Sequence, residues 1–171
     1  SSTPLQIAMA YASIANGGFL LKPYIVEKIE KHDDTIIKNQ RNTKKRVLSQ
    51  SNAEKLKSML SHTVDQGSGK SAAIRGWNVA GKTGTSKKLI NGQYSENEFI
   101  SSFVGFFPSE NPQLLCLIIL DSPDASRNLH WGSMSAAPVF KSVMDRVINI
   151  DESISVSRKS KNKIKNCLLY T

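Results

Sequence analysis

An unbroken apolar run from Leu114 to Leu120 places the strongest constraint on how this 171-residue chain can fold. The run is too short to cross a bilayer as a helix. An apolar segment of this length is typical of a central β-strand whose two faces are both covered. Leaving about three of its large side chains in water would cost roughly 5–9 kcal/mol. That rivals the whole stability of a typical domain, about 5–15 kcal/mol, so helices must cover this strand.

Three helices are predicted, each with a capping or stop signal beside apolar residues at helical spacing. Thr3 and Gln6 form a capping-box pattern, with Pro4 at the first helical position. Three helices give little cover for a central strand, so we expect this chain to be a piece of something larger. The predicted helices run from Pro4 to about Ala15, from Ser49 or Ser51 to Gly67, and from about Ser135 to Ile150.

The other apolar segments are predicted to be strands joined mainly by hairpins. This pattern indicates an α+β fold in which an antiparallel sheet is flanked by helices. Asn91 and Gly92 are placed in a polar loop, and Cys116 is interpreted as a small buried hydrophobic residue. The predicted strands are Tyr24–Val26, Thr35–Ile37, Trp77–Thr85, Phe99–Phe107 and Leu114–Leu120.

Charge and cysteine content narrow the function further. Twenty-three Lys and Arg against fourteen Asp and Glu give a net charge of +9, which favours acidic partners. No aromatic residues interleave with the basic clusters at 41–46 and 159–165, so we expect solvated basic surface and no nucleic-acid partner. Cys116 and Cys167 lack metal-ligand spacing, and we expect no metal and no cofactor. Residues 151–171 are predicted to be a basic, disordered tail, and no signal peptide is visible.

One segment matches two different motifs. Residues 76–83 fit the phosphate-loop pattern G-x-x-x-x-G-K-[ST], and residues 117–121 could pass for an accompanying metal-holding segment. A phosphate loop must lie between a strand and a helix, because loop amides and the helix N-terminus converge on the phosphates. Gly84 and the Asn91-Gly92 pair leave no room for such a helix. A nucleotide hydrolase is therefore an alternative that the flanking residues disfavour.

The second motif is Lys82-Thr83-Gly84-Thr85. A K-T-G triplet on a strand is one of three signatures of penicillin-recognising enzymes, beside S-x-x-K and an S-x-N element. Over residues 3–148 the chain resembles the C-terminal part of a class B penicillin-binding protein transpeptidase domain, and 1–150 is assigned to that domain. The segments that carry the resemblance, in order, are 3–18, 22–26, 79–85, 102–106 and 136–140.

The resemblance implies a peptidoglycan D,D-transpeptidase, which joins D-Ala-terminated stem peptides through an acyl-serine intermediate. Lys82 would place a cation beside the substrate carboxylate, and the Thr83 and Thr85 hydroxyls would add hydrogen bonds. Gly84 would let the substrate backbone approach as an added strand. The backbone N–H of Thr85 would be one of two oxyanion donors.

The nucleophile of that family is not found in this sequence. The one S-x-x-K match, Ser160 to Lys163, falls in the basic tail and is attributed to chance. We therefore expect the isolated segment to be inactive, with the serine supplied by the intact parent. A non-catalytic penicillin-recognising sensor, or a degenerate relative, is the alternative that uses the same residues.

The resemblance also covers a turn and the setting of the parent protein. His130-Trp131-Gly132 lies where the family often has a Tyr-Gly-Gly-like turn, from which Ser133 departs, and Trp131 is expected to pack. The implied partners are peptidoglycan stem peptides, β-lactam inhibitors and a cell-division or elongation complex. The parent would be anchored through an absent N-terminal region in the bacterial inner membrane, on its periplasmic face.

Overall fold

In the computed structural model, the structure describes residues 2–38, 43–150 and 154. Within them the chain forms an α+β arrangement of helices and antiparallel strands, as predicted. The helices are α1 (Pro4–Ala15), α2 (Gln50–Asp65) and α3 (Ala136–Ile150), with short 3-10 turns at Lys70–Ala72 and Ala125–Arg127. The strands are β1 (Phe19–Leu21), β2 (Lys28–Glu30), β3 (Ile36–Lys38), β4 (Thr43–Arg46), β5 (Ala80–Ile90), β6 (Gln93–Phe107) and β7 (Leu114–Asp121).

The main sheet has the strand order β5-β6-β7, with both pairs antiparallel. The apolar run lies in β7, which among the described residues is an edge strand of this sheet and not the predicted central strand. The central strand is β6. Both α1 and α3 contact β7, which explains the continuous apolar pattern: each face of the strand meets a helix. Hydrophobicity reports the covered faces and says nothing about the neighbouring strands.

Two clusters of buried side chains cover the two faces of this sheet. On one face Phe103 packs against Phe140 of α3, with ring centroids 4.8 Å apart. On the other face Phe106 packs with Leu60 of α2 and with α1. Ile154 is helical, 2% exposed and part of the first cluster; the rest of the predicted tail lies outside the described residues.

The helix ends follow their local signals. The Thr3 N–H donates to Gln6 Oε1 at 2.8 Å, and the Gln6 N–H donates to Thr3 Oγ1 at 3.2 Å, which confirms the capping box. At α2 the Ser49 side chain accepts from the Asn52 N–H, so Ser49 is the N-cap. No helix of the described residues has the length and apolar character needed to span a membrane.

The segment between α1 and α2 differs from the prediction. Tyr24–Val26 is not a strand; β2 starts at Lys28, because the turn around Asp34 fixes the hairpin register. In that register Ile29 lies opposite Ile37, and β3 begins and ends one residue later than the predicted strand Thr35–Ile37. Strand β1 was missed because it has only three residues, and β4 was missed because it is short and polar.

Strands β1 and β4 close the base of this segment, which we call the excursion (residues 19–48). Phe19 pairs with Arg46, whose guanidinium lies 4.0 Å from the Phe19 ring centroid. The Val47 N–H donates to the Gly18 carbonyl at 2.8 Å. A Cβ on Gly18, at φ +106°, would lie 2.1 Å from the Leu48 carbonyl oxygen. The chain therefore leaves α1 and returns to α2 at the same place.

Candidate functional site

The K-T-G-T residues lie inside strand β5. Lys82, Thr83, Gly84 and Thr85 pair with Val104, Phe103, Ser102 and Ser101 of β6. The strand continues to Ile90, and a two-residue turn of Asn91 and Gly92 then connects it to β6. Lys82 is followed by strand residues 83–90 and not by a helix, so a phosphate loop is not formed and the nucleotide-hydrolase alternative is wrong.

Two carbonyl groups identify the edge of β5 that faces away from β6. The Gly81 carbonyl accepts a hydrogen bond from the Thr63 hydroxyl of α2, and the Thr83 carbonyl accepts one from Lys82 Nζ at 3.0 Å. Backbone groups point to alternate sides along a strand. The N–H and C=O of Thr85 therefore lie on this same outward edge, which no strand of the described residues pairs with.

Gly132 packs against the backbone of the motif where β5 pairs with β6. A Cβ on Gly132 would lie 2.5 Å from the Ser102 oxygen, 2.7 Å from the Gly84 oxygen and 3.3 Å from the Gly84 nitrogen. These backbone atoms lie together, as expected when Gly84 faces β6. The Gly132 N–H donates to Thr85 Oγ1 at 3.1 Å. The loop before α3 therefore packs directly on the strand.

The space beside Gly84 is also restricted. A Cβ there would lie 2.5 Å from the Ser102 hydroxyl oxygen. On the other side of the motif, Thr83 Oγ1 lies 2.9 Å from Ser68 Oγ, in the loop after α2. The motif is thus held by contacts from two loops that are far from it in sequence.

The Lys82 ammonium is exposed and makes no ion pair within the described residues. The two lysines that follow in β5 differ. Lys87 Nζ lies 2.5 Å from Glu96, and Lys88 Nζ lies 2.7 Å from Asp121. Lys82 is therefore a cation that remains available for a ligand, whereas its neighbours are paired with carboxylates.

The pair at the end of the strand shifts the pKa of both partners. The hydrogen bond from Lys88 holds the pKa of the Asp121 carboxyl below its ordinary value. The same bond raises the pKa of Lys88. Both side chains are in contact with water, so this pair stabilises the surface rather than forming a buried charge site.

Residues 1–145 match the family profile described as the penicillin binding protein transpeptidase domain. The chain belongs to this family. It is 34% identical over 148 residues to the stage V sporulation protein D of Bacillus subtilis, covering 84% of this chain and 22% of that protein. It is 37% identical over 147 residues to the probable peptidoglycan D,D-transpeptidase PenA of Neisseria flavescens, covering 85% of this chain and 34% of that protein.

A solved structure gives the same result for the fold. The crystal structure of penicillin binding protein 3 from Mycobacterium tuberculosis, complexed with aztreonam, superposes with a TM-score of 0.75 at 27% identity. The match covers 86% of this chain and 35% of that chain. The family resemblance and the α+β fold are confirmed, and this chain spans 22–35% of the length of these three matched proteins.

The turn before α3 in this transpeptidase domain places aromatic rings near the motif. His130 stacks on Phe99, with centroids 4.7 Å apart, and on Trp131 at 4.9 Å. Trp131 contacts His130 but is 52% exposed, so it is less buried than the expected packing role implies. The contribution of Gly132 was missed; the only signal in the sequence was its place in the His-Trp-Gly turn.

Titratable residues outside the motif would have to lie close together to form a metal site. The described residues contain no group of three or more His, Cys, Asp or Glu side chains placed to hold a metal ion. Cys116 is a free, half-buried thiol packed against the first hydrophobic cluster, and burial raises its pKa. Ser160 and Lys163 lie outside the described residues.

Proposed function

We propose that Lys82, Thr83, Gly84 and Thr85 bind the substrate of a peptidoglycan D,D-transpeptidase. We call the surface that they form the docking wall. The observation that carries the proposal is the unpaired Lys82 cation beside two threonine hydroxyls on an open strand edge. Membership of the transpeptidase family and a relative named peptidoglycan D,D-transpeptidase support it.

The docked substrate is the acidic end of a stem peptide. Its terminal carboxylate binds Lys82 Nζ and the hydroxyls of Thr83 and Thr85 by charge-assisted hydrogen bonds. The peptide backbone adds to the outward edge of β5 as an extra strand. The Thr85 N–H lies on that edge and donates to the oxyanion as the peptide carbonyl becomes tetrahedral.

The reaction is acyl transfer through a serine that lies in the parent protein outside these residues. The serine oxygen attacks the carbonyl carbon of the penultimate D-Ala, and the terminal D-Ala leaves with the serine proton on its amine. The amine of a second stem peptide then attacks the acyl-serine. A new peptide bond forms, and the amine proton returns to the serine oxygen.

The substrate also indicates where the parent protein works in the cell. Peptidoglycan lies in the cell envelope, so the docking wall works on the periplasmic face of the inner membrane, with the parent anchored through its N-terminal region. The parent acts within a cell-division or elongation complex. β-Lactams inhibit it by acylating the same serine, and a related structure complexed with aztreonam supports this.

The proposal is tested with fluorescent penicillin and the intact protein that contains these residues. Lys82→Ala should slow covalent labelling about 10- to 100-fold, because a charge-assisted hydrogen bond contributes about 1.5–3 kcal/mol. Its melting temperature should change little because Lys82 is exposed. Lys87→Ala, which removes a neighbouring cation, is the control and should label like the wild type.

Two outcomes contradict the proposal. An intact protein that takes up no penicillin has no such site, and a Lys82→Ala protein that loses melting temperature and labelling together makes Lys82 structural. Release of D-Ala from a synthetic stem peptide should accompany labelling. Labelling without that release would identify a penicillin-recognising sensor instead of an enzyme. Residues 1–171 by themselves should remain unlabelled.

A further inference from the structure

A serine hydroxyl outside the motif contacts the residue that binds the carboxylate in the proposed function. Ser68 Oγ lies 2.9 Å from Thr83 Oγ1, within hydrogen-bond distance, and either oxygen can donate. Ser68 is 15 residues from Thr83 in sequence and belongs to the loop between α2 and the 3-10 turn. Its side chain is exposed.

The loop that carries Ser68 is held at both sides. The N–H groups of Gly67 and Gly69 both donate to the Thr63 carbonyl, at 3.1 and 2.9 Å. A Cβ on Gly67 would lie 2.9 Å from that oxygen, and one on Gly69 would lie 3.1 Å from it. The Thr63 hydroxyl also lies within hydrogen-bond distance of two carbonyl oxygens, that of Leu60 at 2.7 Å and that of Gly81 in β5. One residue of α2 therefore fixes the loop to the strand, which places the Ser68 hydroxyl in a defined position.

The number of protons decides how the two hydroxyls divide their roles. A hydroxyl has one proton to donate and two lone pairs that accept. A carboxylate only accepts, so Thr83 must use its single proton to bind it. The Ser68 hydroxyl can then only be the donor to Thr83. Hydrogen bonds arranged in such a chain, from serine to threonine to carboxylate, strengthen one another.

We propose that Ser68 is a positioning residue that donates to Thr83 and so holds the Thr83 proton toward the substrate carboxylate. The inference rests on the proposed function, because it needs a carboxylate at Thr83. Ser68 itself does not touch the reacting atoms. It acts through the direction of one proton.

The experiment measures the second-order rate of acylation by benzylpenicillin in the intact protein, by competition with fluorescent penicillin. Ser68→Ala should lower this rate about five- to tenfold, the effect of losing one hydrogen bond. Ser68→Thr, which keeps the hydroxyl, should restore most of it. Ser58→Ala, on the exposed surface of α2, is the control and should leave the rate unchanged.

Two further arms separate positioning from general stability. The methyl ester of benzylpenicillin carries no negative charge beside Thr83, so Ser68→Ala should slow its reaction less than it slows that of benzylpenicillin. In a Thr83→Val background, which lacks the threonine hydroxyl, Ser68→Ala should have no additional effect. A structural defect would slow both penicillins to the same extent and would persist in that background.

The results that overturn the inference are distinct from those that overturn the proposed function. An unchanged or faster rate for Ser68→Ala, in a wild-type protein that labels normally, contradicts the Ser68 role alone. A faster rate would show that Ser68 draws the Thr83 proton away from the ligand. Absence of labelling in the wild type contradicts the docking wall itself, and with it this inference.

Discussion

The β5–β6 hairpin has two halves that are held by different interactions. The inner half (80–85 with 101–106) packs tightly: Phe103 is fully buried against α3, and Gly132 lies on the backbone of the strands. The outer half (86–90 with 93–100) is exposed. There Leu89 and Tyr94 face each other at 59% and 70% exposure, and lysine–glutamate pairs connect the strands.

The two halves differ in how precisely their atoms are positioned. Close packing fixes atoms to a few tenths of an ångström, since interiors have little free space. The candidate site lies in the half that is fixed in this way. Exposed ion pairs hold a geometry weakly and contribute little to stability. Substitutions should therefore have large effects in the inner half and small effects in the outer half.

The largest expected effect is that of Phe103→Ala. Removing a fully buried ring that contacts Phe140 should lower the free energy of unfolding by about 3–5 kcal/mol. Denaturant unfolding of the intact protein measures the change. Tyr94→Ala, on the outer part of the same strand, is the matched control and should cost less than about 1 kcal/mol. Equal losses would remove the distinction between the halves.

Gly132→Ala should have an intermediate effect on stability and a larger one on the site. The new Cβ would lie 2.5 Å from the Ser102 oxygen, so the loop must move away from the strand. The expected cost is about 1–3 kcal/mol, and the hydrogen bond to Thr85 Oγ1 should weaken. Penicillin labelling and denaturant unfolding report the two effects. Ser133→Ala, the next residue in the loop, should leave both near wild type.

The smallest effect belongs to the outer half and depends on pH. The pKa of Asp121 is lowered by Lys88, so the stabilisation is present above the unfolded carboxyl pKa and is lost as pH falls through the folded one. Because the pKa of Lys88 is raised, its share is lost only as pH rises through that folded value. Lys88→Ala should therefore be less stable than wild type at neutral pH and equal to it in acid.

NMR titration of the Asp121 carboxyl measures the cause directly. Its pKa should rise toward the ordinary value in Lys88→Ala, and high salt should reduce the difference. Lys87→Ala removes the ion pair with Glu96 and should leave the Asp121 titration unchanged. A stability difference that persists in acid would mean that the Lys88 side chain contributes by packing instead of charge.

Features set by neighbouring residues could be predicted from the sequence. The capping box of Thr3 and Gln6 is local, so its residues suffice, whereas for α2 they leave Ser49 and Ser51 as candidates, of which the structure has Ser49 as the N-cap. The position of β7 in the sheet could not be predicted from neighbouring residues. Its apolar pattern reflects the helices that cover its two faces and not the strands beside it. The outer hairpin was missed for a similar reason: its polar side chains carry no burial pattern, although Asn91 and Gly92, both at positive φ, form a turn typical of hairpins.

The candidate site shows the same limit. Lys82 to Thr85 could be found because their motif is contiguous and characteristic of one family. Ser68 and Gly132 could not, since they reach the motif from 15 and 47 residues away, and no short pattern encodes such a contact. What holds the motif in place depends on the tertiary structure.

The contact between Gly18 and Leu48 has a consequence for how such proteins can diverge. The two ends of the excursion lie in contact, and the antiparallel β1–β4 pair holds them together. Residues beyond Leu21 can therefore be lengthened, shortened or exchanged without changing the distance between α1 and α2, since the cost of closing a loop grows slowly with its length. The excursion is a place where evolution, or a protein engineer, can insert new sequence while α1, α2 and the main sheet keep their arrangement.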